Sequence, residues 1–250
     1  KMATPKSSIS TITTSSMRIT KYGHSCLFIE EGEARILIDP GSYVFLDSAL
    51  RPEDLPESNV LLLTHEHPDH TYPEALKVIL QKSKPIILTN PGVQKVLRDN
   101  SIDSAMLARG EERKLSFRSS GSSASEYQIS IRGIACEHGL IAEHIPRPDH
   151  VGFLIANRLL HPGDCVTLRN FPLPWQSELA TILAVPVAAP WMKISEGLEF
   201  VKKLKPKFAI PIHDGFLKWP QRPWYTVFET GLQGTGTEFV PLKIGKAREF

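Results

Sequence analysis

Cysteine is scarce in this 250-residue chain: there are three, Cys26, Cys136 and Cys165. None belongs to a CxxC pair and the three cannot all pair with one another. No disulfide framework is expected, and free thiols point to a reducing, cytoplasmic compartment. A long uninterrupted apolar run is also missing. The longest, LATILAVPVAAPW from Leu179 to Trp191, is broken by Pro186 and Pro190 and is too short to cross a bilayer, so no membrane partner is expected. Charge of one sign is not in excess: the formal net charge is +2, without the concentrated basic footprint that nucleic-acid binding requires. Ser25 lies between His24 and Cys26 without a nucleophile elbow around it, which argues against a serine triad. Internal repeats and domain linkers are likewise lacking.

What is present reads as one globular domain. Residues 1–16, KMATPKSSISTITTSS, contain no acid and little to bury, so they are expected to form a flexible tail. The Lys before Met2 looks like a tag scar, with an acid-poor organelle presequence as the rival reading. Residues 17–250 are expected to be a single domain. MRITKYG, SCLFIE and ARILID read as a strand meander, and NVLLLT as a strand buried on both faces. A capping box at Thr71 to Glu74 predicts a helix carrying Ala75, Leu76, Ile79 and Leu80. PIILTN, RKLSF, YQISIRGIAC, VGFLIAN, RLLHPGD and KFAIPIHDG read as strands. PGVQKVLRDN and MKISEGLEFVKKLK read as helices, the second with Ile194, Leu198 and Val201 on one face. SSGSSASE, 119–126, reads as a low-complexity surface loop. Sheets between helices are the simplest architecture for this order.

The densest chemistry is HEHPDH, His65 to His70, with three of the nine histidines, where chance would put roughly 0.2 in a window that long. It follows the buried strand directly, and a rigid strand fixes the root of a ligand-bearing loop. His65 and His67, two apart on extended chain, project to one side. Pro68 delays the helix, so Asp69 and His70 can face a second position. His70 at a helix N-terminus is expected to stay neutral, because the positive dipole end disfavours imidazolium. Two adjacent metal positions follow, and one hexapeptide cannot complete both. His138, Asp164 and His213 each end a predicted strand and are the candidates for the rest. Asp39, in ILIDPG, is expected to orient a ligand histidine or cap a turn. His24 is expected to be either a supporting partner or a hydrogen-bonded core histidine, and Cys165 a small packed residue.

HEHPDH after its strand, His138, Gly163-Asp164 and His213 together resemble the metallo-β-lactamase superfamily over Asp39 to His213. YGHSC, ILIDPG, HPGD and PIHDG resemble the branch that includes ascorbate-6-phosphate lactonase and uncharacterised cytoplasmic hydrolases. The resemblance implies an α+β fold, a four-layer αββα sandwich. It also implies two divalent metal ions: His65, His67 and His138 on one, Asp69, His70 and His213 on the other, and Asp164 bridging. Zinc is the first choice for such nitrogen and oxygen donors, with manganese or iron as alternatives. Antibiotic-hydrolysing members often carry a cysteine where this chain has Asp164, which argues against a true β-lactamase.

The implied activity is metal-dependent hydrolysis of a small ester, lactone or phosphodiester, with Asp69 as the catalytic carboxylate that orients or deprotonates the attacking water. The competing readings are an iron-dependent redox enzyme on the same scaffold and a non-catalytic, metal-stabilised binding module. His144, Arg147 and His150 after His138, with Trp191 and Lys193, form an expected cationic rim for an anionic small-molecule substrate. The oligomeric state is left open.

Overall fold

A computed structural model describes residues 16–46, 48–118, 126–167, 180–218 and 221–250. The tail expected over 1–16 lies outside these apart from Ser16, and the loop expected over 119–126 lies outside them apart from Glu126. Two seven-stranded sheets are built on similar plans. In the first, β1 (Arg18–Gly23), β2 (Cys26–Glu31) and β3 (Ala34–Ile38) form an antiparallel meander, continued in parallel by β4 (Val60–Leu62), β5 (Ile86–Thr89) and β6 (Ala105–Met106). In the second, β7 (Glu112–Arg118), β8 (Glu126–Ile134), β9 (Gly152–Ile155) and β10 (Leu159–His161) are antiparallel. They are followed in parallel by β11 (Ile182–Pro186), β12 (Phe208–Ile212) and β13 (Glu238–Phe239). The last strand, β14 (Ala247–Glu249), returns to pair with β1.

The continuous apolar strands have partners on both sides. Ile36 and Ile38, Val60 and Leu62, Ile182 and Ala184, and Ile210 and Ile212 alternate into one core between the sheets, as the two-residue period of a strand requires. The intervening Leu37, Leu61 and Leu63 face outward onto α1 (Pro73–Lys82) and α2 (Pro91–Asp99). Leu183, Val185 and Ala209 face α3 (Ile194–Leu204) and α4 (Thr226–Gly231). The result is the expected helix–sheet–sheet–helix sandwich. Among the described residues no helix is long and apolar enough to cross a membrane, and all three cysteines are free and buried.

Several local expectations are revised. The apolar run at Leu179 to Trp191, read only as too short for a membrane, supplies β11 in the interior of the second sheet. The capping box does not form. Tyr72 is the N-cap of α1 and makes no side-chain cap, because the Thr71 hydroxyl donates to the His65 carbonyl oxygen at 2.7 Å. That bond folds the HEHPDH loop back on its own start.

The segment after β3 sets the loop's position. Ser42 N–H donates to the Pro68 carbonyl oxygen at 2.8 Å, and Gly41 lies so close that a Cβ there would sit 1.8 Å from the Asp69 carbonyl oxygen. Backbone occupies the space any side chain would need. Gly41→Ala should therefore displace the 65–70 loop, destabilising the protein by about 1–3 kcal/mol and weakening divalent-metal uptake. An unchanged urea midpoint together with unchanged metal uptake would contradict this packing.

Candidate metal centre

Every expected ligand leaves the end of a strand on one rim of the sandwich. The His65–His70 loop follows β4, His138 follows β8, Asp164 follows β10 and His213 follows β12. The structure brings the seven into two adjoining groups, His65, His67, His138 and Asp164, and Asp69, His70 and His213 together with His24. Within each group of four the donor atoms lie within 4.8 Å of one another.

Asp164 is the hub. Its Oδ1 is 3.0 Å from His70 Nε2, and its Oδ2 is 3.1 Å from His213 Nε2, 3.3 Å from His138 Nε2 and 3.7 Å from His65 Nε2. Yet His70 Nε2, His138 Nε2, His213 Nε2 and Asp164 Oδ1 are buried and make no hydrogen bond, a state whose desolvation cost requires a partner.

The opposite ring nitrogens explain which atoms are presented. His138 Nδ1 donates to the Gly139 carbonyl oxygen and His213 Nδ1 to the Ala188 carbonyl oxygen, each at 2.6 Å. His70 Nδ1 donates to Asp39 Oδ2 at 2.8 Å. The Thr64 hydroxyl donates to the same carboxylate at 2.7 Å, so its oxygen accepts from His65 Nδ1 at 3.0 Å. With each Nδ1 protonated, each Nε2 carries a lone pair aimed inward, the arrangement by which outer hydrogen bonds fix metal-ligating imidazoles. His67 is turned the other way, its Nδ1 lying 3.1 Å from His65 Nε2. The donor set of imidazole nitrogens and carboxylate oxygens fits divalent cations such as zinc, manganese or iron.

Protons compete for the same lone pairs. Burial opposes charge on His70 and His213, but Asp164, joined at His70 by Asp39, outweighs it and holds both above the ordinary histidine range. Against the neutral His70 expected from the helix dipole stand two carboxylates, Asp164 and Asp39, which face the same ring and favour its charge. Burial pushes His65 and His67 down. For Asp164, burial is outweighed by His213, His70 and His65, which hold its carboxyl well below the usual range.

The supporting residues show how the rim is braced. His24 Nδ1 accepts from Gly215 N–H at 3.0 Å, and its Nε2 faces Asp69 Oδ2 at 3.1 Å. Burial pushes its pKa down to about 4, so the ring is neutral and Nε2 carries the proton. His24 therefore aims Asp69 and has no lone pair left for a cation. His161 and His150 do comparable work on the HPGD turn. Gly163 N–H donates to His161 Nδ1 at 3.3 Å, and Asp164 N–H donates to His150 Nε2 at 3.1 Å. The other nitrogen of each ring points at a carbonyl oxygen, of Ser25 and Cys136 respectively. His161 escaped the sequence reading, and its only signal was its place two residues before Gly163. Behind His213, the buried Lys21 ammonium donates to Asp214 Oδ2 at 2.6 Å and to the Pro211 carbonyl oxygen at 2.7 Å, and the Tyr225 hydroxyl donates to the same Asp214 oxygen.

The expected cationic rim is not assembled. His144 is exposed and Lys193 is the exposed N-cap of α3. Arg147 is exposed and donates to Glu137 at 2.8 Å. His150 is buried within the fold. Trp191 does reach the centre, but its indole Nε1 donates to Asp164 Oδ2 at 3.1 Å, so it orients the hub carboxylate. The cavity that opens on Asp69 and His213 is lined by neither His144, Arg147 nor Lys193.

Comparison with known proteins agrees with this geometry. Residues 18–213 match the family described as the beta-lactamase superfamily domain. Protein Rv0786c of Mycobacterium tuberculosis is 29% identical over 237 residues, 90% of this chain and 97% of that protein. A UPF0173 metal-dependent hydrolase of Carboxydothermus hydrogenoformans is 25% identical, covering 82% of this chain and 86% of the relative. Igni18, a metallo hydrolase from Ignicoccus hospitalis, superposes with a TM-score of 0.69 at 19% identity, over 94% of this chain and 98% of its own; that likeness concerns the fold.

The raised pKa values set the sign of a linkage. Both shifts favour the protonated ring, and a cation needs its lone pair. Metal uptake should therefore release protons, and apparent affinity should rise with pH. Titration calorimetry with zinc in buffers of different ionisation enthalpy measures this. A proton count near zero with pH-independent affinity would contradict the assignment.

Proposed function

The chain belongs to the beta-lactamase superfamily domain family, and from that premise we propose that it is a metal-dependent hydrolase of a small ester, lactone or phosphodiester. The observation that carries this reading is the set of buried Nε2 atoms without hydrogen bonds, gathered around one carboxylate. His65, His67 and His138 would hold one divalent cation and Asp69, His70 and His213 the other, with Asp164 available to both, and the donor set would favour zinc. The relatives that are metal-dependent hydrolases support the same reading.

When bound, the cations supply Lewis acidity and lower the pKa of a water. The remaining chemistry belongs to the chain. Asp69 is partly exposed towards the cavity, and although burial opposes its ionisation, the His24 hydrogen bond holds its carboxyl well below the usual range. It is therefore an ionised hydrogen-bond acceptor, placed to orient the attacking water. Asp39 and Thr64 keep His65 and His70 in the ligating tautomer, and Trp191 restrains Asp164. No side-chain nucleophile is needed. The buried Cys165 thiol turns to the Thr167 carbonyl oxygen and takes no part.

Two substitutions test these roles on zinc- or manganese-loaded protein. Asp69→Ala should lower turnover of an activated ester by about 100-fold or more and weaken one of the two metal positions. Cys165→Ala should keep turnover within about twofold and metal content unchanged. Equal losses in the two variants, read by ester assay and elemental analysis, would show the assignment to be wrong.

A further inference from the structure

Beside Asp69 and His213 opens a cavity of about 890 Å³, at the upper end of the range for sites that enclose small organic ligands. Its remaining wall is nearly all apolar: Tyr43, Leu46, Met192, Phe216, Leu217 and Trp224 stand in it, and among the described residues no Lys or Arg lines it. Three of these side chains are exposed despite their size, Tyr43 at 40%, Leu46 at 54% and Phe216 at 44%. They are not scattered. The Tyr43 and Phe216 rings are 6.3 Å apart, and Phe216 lies 5.6 Å from His213. Exposed apolar groups gathered at a catalytic rim mark a binding surface, because each leaves water only when something apolar covers it.

We propose that this cavity takes the acyl part of the substrate, and that the substrate is an uncharged ester or lactone with a medium-length aliphatic or similarly apolar acyl group. This rests on the hydrolase reading and narrows it. A substrate whose flanking groups carry phosphate or carboxylate would have to desolvate that charge against Leu46, Met192 and Trp224 with no cationic side chain among the described lining residues to receive it. An acyl chain meets no such cost and gains from each methylene buried.

The test compares metal-loaded protein on p-nitrophenyl acetate, butyrate and octanoate and on bis(p-nitrophenyl) phosphate, alongside calorimetric binding of 1-octanol and 1-butanol to the metal-free protein. Specificity, as kcat/KM, should rise from butyrate to octanoate by on the order of tenfold, a fraction of the full transfer of four methylenes. Octanol should bind about tenfold more tightly than butanol on the same grounds. Leu46→Lys, a change at an exposed position, should lower the octanoate-to-butyrate ratio. Equal kcat/KM across the esters, or preference for the phosphodiester, would overturn the acyl-pocket proposal while leaving the hydrolase reading intact. Octanol selectivity without turnover of any substrate would uphold the pocket and overturn the hydrolase reading. Absence of both would overturn the two together.

Discussion

A single buried carboxylate, Asp164, has imidazole nitrogens of His70, His138 and His213 within 3.3 Å, and those nitrogens make no hydrogen bond. Lone pairs converging at that spacing repel one another unless positive charge lies among them. The Asp164 carboxylate, joined at His70 by Asp39, pushes His70 and His213 up against their burial, while burial pushes His65 and His67 down. Divalent cations supply that charge, because they engage several donors at once. Much of the rim is arranged to keep this electrostatically costly cluster in place.

The cost is carried by backbone and by neutral histidines. His24, Asp39 and His213 all adopt positive φ, at 46°, 44° and 60°, conformations that cost a non-glycine residue about 1–3 kcal/mol each. Each is fixed by specific bonds: Asp39 by Thr64 and His70, His24 by Gly215 and Asp69, and His213 by Ala188 and the His24 carbonyl oxygen. Seven of the nine histidines divide by what their ring nitrogens meet. His65, His70, His138 and His213 turn Nδ1 to oxygens outside the cluster and present Nε2, while His24, His150 and His161 accept backbone N–H bonds and act as braces. The acyl pocket proposed above belongs to the separate, apolar wall around Phe216 and Trp224.

The sandwich and the positions of the seven candidate ligands were legible because both leave periodic or ordered traces. Strands buried on both faces read as apolar runs, and each donor directly follows such a run. The braces were less legible. Nothing local distinguishes a histidine that accepts a backbone N–H, such as His161, from one that binds a cation; the difference lies in contacts such as Ser25 to His161, distant in sequence. The cationic rim misled for a related reason. Arg147 and Lys193 are close to ligands along the chain, yet loop geometry carries Arg147 to Glu137 and leaves Lys193 at a helix cap. The apolar wall was invisible because its residues come from separate segments around 43–46, 187–194 and 213–224. Likewise, β11 was masked by prolines, which fit at its end because Pro186 closes the strand.

The central claim is that the rings of His65, His70, His138 and His213 are locked with the proton on Nδ1 and the lone pair on Nε2. Long-range proton–nitrogen NMR of histidine-labelled, zinc-loaded protein reads the tautomer of each ring directly. The account predicts protonated Nδ1 and zinc-shifted Nε2 resonances for those four, with protonated Nε2 and no zinc shift for His24. Nε2–H signals from His70, His138 and His213 in the presence of zinc would contradict it.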